Sequence, residues 1–267
     1  MLQMQVNGKL HEVKLWNFPA NEVGVKIANI EGFVSNIVLT LLMPTSDEII
    51  ALFNILDILH DIGVEREKIS VYMPYVPYGR QDRACHAGES NALRVFGRMV
   101  KAFPHFNALY VEDIHSDATY FAFRDYGISV CQMSQASCAK YLPKFDALIA
   151  PDDGASGKVI THHQVSLGTP VFTLSKERKD GKVIYTDYRF NTITGEVCVV
   201  DDICDGGATF LSLAEMLKRT QPEITSLNLY VTHGIFSKGT EELKKYYDTI
   251  FVRNNMNPTV VDSITTI

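Results

Sequence analysis

One segment of the sequence combines acids, glycines and a hydroxyl in an order that suits the binding of a ribose phosphate. It follows an apolar run, and its residues are Asp201, Asp202, Asp205, Gly206, Gly207, Ala208 and Thr209. Glycines let backbone N–H groups approach a ligand, and the N-terminus of a helix favours a phosphate. The carboxylates could accept hydrogen bonds from ribose hydroxyls or face Mg²⁺. The simpler alternative is a strand-to-helix turn whose acids cap the helix.

Cationic side chains at two further places could neutralise phosphate charge. Arg80 and Arg83 lie beside tyrosines, Lys176 and Arg178 follow an apolar run, and we expect all four in loops that follow strands. The sequence lacks the GxxxxGK[ST] motif, so a bound nucleotide would need such cations and Mg²⁺ around its phosphates. Each group also has a simpler interpretation, which is a solvated loop for the arginines and a surface charge run for residues 176–179.

Histidines and cysteines give weaker signals. His115 ends a predicted strand and could ligate a metal or make a structural hydrogen bond. His162 and His163 resemble a metal pair, but adjacent residues on a helix point in different directions, so we expect both at the surface. Cys204 could be a reactive thiol, and a small filler is the simpler interpretation. The five cysteines include no CxxC pair, which indicates a reducing compartment without a disulfide framework or a zinc cluster.

The elements that must position these residues alternate between short β-rich runs and helical stretches. We predict strands at residues 37–43, 69–75, 108–111, 147–150, 171–174, 183–185, 197–200 and 227–231. We predict helices from a capping box of Thr45 and Glu48 to about residue 60, from Ser90 to about 102, and from Thr209 to about 219. The alternation predicts an α/β protein with parallel sheets, in which ligands bind beyond the carboxyl ends of the strands.

Length and composition limit the class of protein further. The chain has 267 residues, of which 46% are hydrophobic and 21% are charged, and its formal net charge is −6. These values indicate one or two globular domains and argue against a disordered chain or a non-specific nucleic-acid binder. The N-terminus lacks the pattern of a signal peptide, and the longest apolar run is too short to span a membrane. We therefore expect a cytoplasmic protein.

Five segments resemble, in order, the motifs of known enzymes. Residues 199–209 are similar to the phosphoribosyl-pyrophosphate-binding loop of type I phosphoribosyltransferases. Residues 75–83, YVPYGRQDR, resemble the PYxPYxRQDR stretch of the ribose-phosphate pyrophosphokinases. Three more segments follow that family's order, namely DIH at 113–115, APDDG at 150–154 and KERK at 176–179. The resemblance extends over roughly residues 18–240.

The resemblance implies two type I phosphoribosyltransferase-like domains, at residues 1–130 and 131–267, each a mainly parallel sheet flanked by helices. The active site would lie between them. The implied enzyme depends on ATP and Mg²⁺ and transfers the diphosphoryl group of ATP to the anomeric hydroxyl of ribose 5-phosphate. Its products would be phosphoribosyl pyrophosphate and AMP. The protein would form a homo-oligomer and would bind neither nucleic acid nor a membrane.

The resemblance also implies roles for individual residues. Those that would hold ATP are Phe18 and Glu22, in a loop that contacts adenine, together with Arg80 and Gln81. Those that would bind Mg²⁺ are His115 and Asp152. Those that would stabilise the transferring diphosphoryl group are Lys176 and Arg178. Those that would hold the ribose phosphate are Asp201, Asp202, Asp205, Gly206, Gly207, Ala208 and Thr209.

The sequence departs from the family's pattern at several positions. The family's loop usually reads DTxGT, whereas Gly206 here replaces the first hydroxyl residue and Ala208 replaces a glycine. One hypothesis is that the space at Gly206 admits an acceptor with a substituted 5′-phosphate, such as ADP-ribose, which would connect the enzyme to NAD metabolism. Ala20 and Asn21 change the adenine loop. The remaining alternatives are a phosphoribosyltransferase that consumes the diphosphate and a non-catalytic regulatory relative.

Overall fold

Alternating strands and helices build two six-stranded sheets, one in each half of the chain. The computed structural model describes residues 2–124, 127–179, 182–187 and 192–267. Two compact units, Met1–Met133 and Ser134–Ile267, contain one six-stranded sheet each. The prediction that these halves are an ATP-side domain and a ribose-phosphate-side domain stays a prediction.

The first unit contains a mixed sheet and a separate hairpin. Its strands are β1 Leu2–Val6, β2 Lys9–His11, β3 Val13–Asn17, β4 Val23–Ile27, β5 Ile37–Leu41, β6 Ile69–Tyr72, β7 Ala108–Glu112 and β8 Ser129–Met133. The sheet order is β2-β1-β5-β6-β7-β8, in which β5 to β8 are parallel and β1 is antiparallel to both of its neighbours. Strands β3 and β4 form an antiparallel pair outside this sheet.

Helices connect the parallel strands of the first unit. They are α1 Ser46–Asp61, α2 Ala92–Ala102 and α3 Asp117–Arg124. The predicted capping box is present, because Thr45 Oγ1 accepts a hydrogen bond from Glu48 N at 3.2 Å and Thr45 N donates to Glu48 Oε2 at 3.1 Å. Helix α2 begins two residues later than predicted, since the side chain of Asn91, rather than Ser90, caps it through Arg94 N at 2.8 Å.

The second unit has a fully parallel sheet. Its strands are β9 Ala147–Ala150, β10 Val171–Thr173, β11 Ser175–Lys179, β12 Lys182–Asp187, β13 Gly195–Cys204, β14 Ile224–Gly234, β15 Thr249–Asn255 and β16 Thr265–Thr266. Its helices are α4 Gln135–Cys138, α5 Asp153–Val159, α6 His163–Ser166 and α7 Ala208–Thr220. The sheet order is β10-β9-β13-β14-β15-β16, and β11 and β12 form a separate antiparallel hairpin.

The α/β class with parallel sheets and flanking helices is confirmed, and several details of the prediction are wrong. Strands β13 and β14 run three residues or more beyond their predicted ends, because their parallel register continues through Cys204 opposite Gly234. Lys176 and Arg178 lie on strand β11 and not in an open loop, because β11 pairs along its length with β12. The antiparallel strands β1 to β4 were not predicted.

The prediction for the adjacent histidines is half wrong. His163 is exposed, but His162 is 3% exposed and its Nε2 lies 3.2 Å from Gln135 Oε1. His162 precedes α6 as its N-cap residue, so the backbone turns between the two histidines and the two side chains have different environments. Among the helices of the described residues, none is long and apolar enough to cross a membrane.

The capping box of α1 gives a stability prediction. Thr45→Ala removes the acceptor for Glu48 N and should lower the free energy of unfolding by about 1 kcal/mol, the usual value of an N-cap side chain. Urea unfolding followed by circular dichroism measures this change. Thr45→Ser keeps an acceptor oxygen and should stay close to the wild type. Equal stability of the alanine variant and the wild type would contradict the role of the cap.

Candidate active site

The candidate phosphate site is a turn between β13 and α7, which we call the phosphate turn (residues 205–209). Gly207 is the N-cap residue of α7 and has a φ of +77°, a conformation that favours glycine. A Cβ on Gly207 would also lie only 3.3 Å from a methyl group of Leu243. The first turn of a helix has backbone N–H groups without partners inside the helix, and they attract anions. The predicted glycine turn therefore has the geometry of an anion site.

The two consecutive acids lie within β13, before the phosphate turn. Their side chains interact, because a side-chain hydrogen bond with Asp202 is among the causes that raise the pKa of Asp201. Asp202 is 6% exposed, and its Oδ2 lies 3.2 Å from Lys158 Nζ on α5. This ion pair gives Asp202 a partner within the protein. Its predicted contact with the ribose stays a prediction.

Asp201 lies in a field of negative charge. Burial of its carboxyl, followed by the nearby charge of Asp202, raises its pKa well above the usual value, and Asp152 adds to the effect. The backbone N–H of Asp202 donates to Asp201 Oδ1 at 2.9 Å, which offsets part of this rise. Asp152 follows β9, the neighbour of β13, and its Oδ1 accepts from Ala155 N at 2.8 Å as the N-cap of α5. Two of the predicted acids thus interact at one edge of the sheet.

The thiol beside these acids is buried. Cys204 is the last residue of β13 and is completely buried. Burial, with smaller contributions from Asp201 and Asp205, raises the pKa of its thiol to about 12. Because the thiolate is the reactive form, the structure supports the interpretation of Cys204 as a small filler.

Tyr185 connects the β11–β12 hairpin to the phosphate turn, a contact that the sequence motifs did not reveal. Its hydroxyl donates to the carbonyl of Thr209 at 3.2 Å, so strand β12 is tied to the phosphate turn. It lies directly opposite Lys176 in the register of the β11–β12 hairpin. Burial, together with the nearby charges of Asp201 and Asp152, raises the pKa of the Tyr185 hydroxyl. The side chains of Lys176 and Arg178 lie outside the described part of the structure.

Two predicted motif segments of the first unit are joined by a hydrogen bond. Arg80 and Gln81 are exposed on the segment that follows β6, and Tyr78 at its bend has a φ of +64°. The next residue, Asp82, accepts a hydrogen bond from Ser116 Oγ at 2.7 Å. Ser116 immediately follows His115, which is exposed just beyond β7. The fold therefore brings the predicted ATP segment next to the predicted metal histidine.

The predicted adenine loop lies on the β3–β4 hairpin. Phe18 N donates to Glu22 O at 2.9 Å, and Asn21 has a φ of +65°, so residues 18–22 form a tight turn. The ring of Phe18 is exposed and packs edge-on against Trp16 with 5.7 Å between ring centroids. Its exposed face is available for stacking.

The donor atoms fit a magnesium ion in part. Asp152 and Asp201 provide carboxylate oxygens, which are the ligands that Mg²⁺ takes in proteins. The raised pKa of Asp201 also fits, because a bound cation would favour its ionised form. Over the described parts of the chain, no three His, Cys, Asp or Glu side chains form a ready metal cluster. Such an ion would therefore keep waters and nucleotide oxygens as ligands.

Comparison with known proteins gives relatives over nearly the whole chain. The chain is 27% identical over 267 residues to a ribose-phosphate pyrophosphokinase of Pyrococcus furiosus, covering 98% of this chain and 92% of the relative. It is 28% identical to the enzyme of the same name from Thermococcus kodakarensis, with 96% and 89% covered. The chain is a divergent homologue of the ribose-phosphate pyrophosphokinases. No protein-family model matches it.

A solved structure supports the same architecture. The phosphoribosylpyrophosphate synthetase from Mycobacterium smegmatis superposes with a TM-score of 0.76, covering 98% of this chain and 87% of that chain at 17% identity. At this identity the likeness establishes the fold. The architecture of two sheets flanked by helices is therefore shared with that structure.

The raised pKa of Asp201 gives a pH-dependent stability prediction. Because its folded-state pKa is raised, the folded protein loses stability as the pH rises from the unfolded-state pKa of about 4 to the folded-state pKa, and the full cost of ionisation remains above it. Asp201→Asn, without added Mg²⁺, should therefore be more stable than the wild type at about pH 8. The gain should vanish towards the ordinary aspartate pKa of about 4, where both proteins are neutral at this position.

Thermal unfolding of the two proteins across this pH range tests the prediction. Asp262→Asn, at an exposed position, is the matched control and should show no comparable gain. A constant difference between Asp201→Asn and the wild type at all pH values would show that the ionisation of Asp201 does not destabilise the fold.

Proposed function

We propose that this chain is an ATP-dependent ribose-phosphate pyrophosphokinase. It transfers the β,γ-diphosphoryl group of ATP to the anomeric hydroxyl of ribose 5-phosphate and releases AMP. The observation that carries the proposal is the end-to-end similarity to enzymes of that name, which covers 92% of the relative from Pyrococcus furiosus. The phosphate turn, with acids on the strand before it, supplies the structural support.

The reaction requires the protein to hold two phosphate-bearing substrates and to neutralise charge. The anomeric oxygen attacks the β-phosphorus, the bond between that phosphorus and the bridging oxygen of AMP breaks, and the hydroxyl proton is lost to water. In our proposal the phosphate turn binds the 5′-phosphate, and Asp201 and Asp205 accept hydrogen bonds from ribose hydroxyls. Lys176 and Arg178 stabilise the charge that develops on the transferring group.

The ATP side of the proposal uses the first unit. Arg80 and Gln81 hold the nucleotide, and the exposed ring of Phe18 stacks on adenine with Glu22 at the other end of its turn. His115 and Asp152 would hold Mg²⁺, which supplies positive charge to the ATP phosphates when bound. Binding one metal ion by few protein ligands is usual for Mg²⁺ in nucleotide enzymes.

The biological setting follows the relatives in coarse terms. We propose a homo-oligomer in the cytoplasm that acts in nucleotide biosynthesis and recognises small molecules, not nucleic acids or membranes. The relatives are named for ribose phosphate, so the comparisons do not favour ADP-ribose as the acceptor, and a place in NAD metabolism has no support. The comparisons do not favour a phosphoribosyltransferase or a regulatory relative either, because the relatives above are named as pyrophosphokinases or a synthetase.

An AMP-release assay on the purified protein tests the proposal. With Mg²⁺-ATP and ribose 5-phosphate, AMP should form together with a product whose mass is that of phosphoribosyl pyrophosphate. ADP-ribose in a parallel reaction should give much less AMP. Absence of AMP with ribose 5-phosphate, with the protein folded and Mg²⁺ present, would overturn the proposed function.

The role of the β11–β12 hairpin gives a second prediction. Lys176→Ala should lower turnover by roughly 10²-fold or more while the protein stays folded, because in our proposal the lysine charge stabilises the transition state. The matched control is Lys244→Ala, which removes an exposed lysine far along the chain. Near-normal turnover of Lys176→Ala would remove this hairpin from the mechanism.

A further inference from the structure

A second turn lies directly beside the phosphate turn. Strands β13 and β14 are parallel neighbours, and Cys204 at the end of β13 lies opposite Gly234 at the end of β14. The chain then bends through residues 235–239, which we call the lysine turn. The carbonyl of Cys204 accepts hydrogen bonds from Ile235 N at 2.8 Å and Phe236 N at 3.1 Å. One peptide group thus joins the start of both turns.

The lysine turn has a backbone shape that the surrounding residues enforce. Phe236 is fully buried and has a φ of +45°, which is unusual for a bulky residue. Its ring occupies the space that a Cβ on Gly234 would need. Its carbonyl accepts hydrogen bonds from Gly239 N and from Asn257 Nδ2, both at 2.9 Å. Strained positions of this kind persist where packing holds them, and they are frequent in functional sites.

The lysine turn places the stem of Lys238 over the phosphate turn. A Cβ built on Gly206 would lie 3.5 Å from both Cδ and Cε of Lys238 and 3.8 Å from its Cγ. These are ordinary van der Waals distances, so the lysine stem covers the side of Gly206 where a side chain would stand. The ammonium nitrogen is one bond beyond Cε, and the residue is exposed. The positive charge of Lys238 therefore lies beside the phosphate turn and stays in contact with solvent.

We propose that Lys238 is a specificity-determining residue that binds the terminal phosphate of the acceptor held by the phosphate turn. This inference rests on the proposed function and assigns a residue to its acceptor site. A phosphate monoester carries up to two negative charges, and the N–H groups of a helix N-terminus offer only partial positive charge. A lysine ammonium adds a full charge and hydrogen-bond donors. Lys238 therefore favours an acceptor with a free phosphate over one whose phosphate is esterified.

Sequence motifs could not have identified this residue. Lys238 lies 32 positions after Gly206, outside all five segments that carry the family resemblance. Only the parallel register of β13 and β14 and the bend at Phe236 bring the two residues together. A search for lysines at the carboxyl ends of neighbouring parallel strands would have included it among several candidates.

The test compares Lys238→Met, Lys238→Arg and the control Lys244→Met with the wild type. Methionine keeps an apolar stem and removes the charge. We expect Lys238→Met to raise the KM for ribose 5-phosphate about tenfold, the size expected for a lost hydrogen bond to a charged group. Its kcat and its KM for ATP should stay within about twofold of the wild type. Lys238→Arg should restore most of the affinity, and Lys244→Met should behave as the wild type.

Calorimetric titration with ribose 5-phosphate gives a readout that does not depend on turnover. Weaker binding by Lys238→Met than by the wild type, with equal melting temperatures, would support the role of Lys238. This holds even if the wild type forms no AMP, because the absence of AMP would overturn only the proposed function. Equal affinity of the two proteins, or a fall in kcat without a change in KM, would overturn the role of Lys238. If the wild type does not bind ribose 5-phosphate at all, both proposals fail.

Discussion

Parallel pairing of β13 with β14 is the constraint on which the candidate active site depends. The register holds from Val197 opposite Leu227 to Cys204 opposite Gly234, so the two strands end at the same level. Two turns therefore begin side by side, and the carbonyl of Cys204 is hydrogen-bonded to the second of them. A shift of this register would separate Gly206 of the phosphate turn from the side chain of Lys238 that covers it. The chemistry of the site is thus a consequence of how two buried apolar strands align.

The candidate site contains several neighbouring carboxylates, and the positively charged side chains described around them neutralise only part of their charge. Lys158 pairs with Asp202, whereas burial and neighbouring acids raise the pKa of Asp201. Ionised carboxylates in such surroundings destabilise a folded protein, and cations or hydrogen-bonding ligands relieve the effect. Tyr185 brings a hydroxyl into the same region and ties the β11–β12 hairpin to Thr209. The arrangement suits substrates that arrive with a metal ion and with ribose hydroxyls that donate hydrogen bonds.

Local sequence signals predicted the elements that have local causes. The capping box of Thr45 and Glu48 depends on residues three apart, and the structure contains it. The apolar run that became β9 was predicted with its observed ends, because it is short, buried on both faces and followed by a proline. The glycine turn before α7 was also predicted, since Gly207 meets a conformational need that few other residues can meet.

Signals that depend on distant residues were missed or misjudged. The acids at 201 and 202 mark a strand end by composition, yet β14 continues beside them and keeps β13 paired through Cys204. The charged run at 176–179 suggests a loop, but its pairing with β12 makes it a strand. His162 is polar by type and is buried against Gln135. In each case the deciding contact is a tertiary one that no window of neighbouring residues contains.

The fate of the phosphorus atoms of ATP tests the central claim most directly. A ³¹P NMR time course with the purified protein, Mg²⁺-ATP and ribose 5-phosphate separates transfer of the diphosphoryl group from transfer or hydrolysis of the terminal phosphate. If the protein transfers the diphosphoryl group, the AMP signal and two coupled signals of a diphosphate bound to carbon 1 of the ribose should grow in equal amounts. Formation of ADP, with free phosphate or a ribose bisphosphate as the other product, would contradict it.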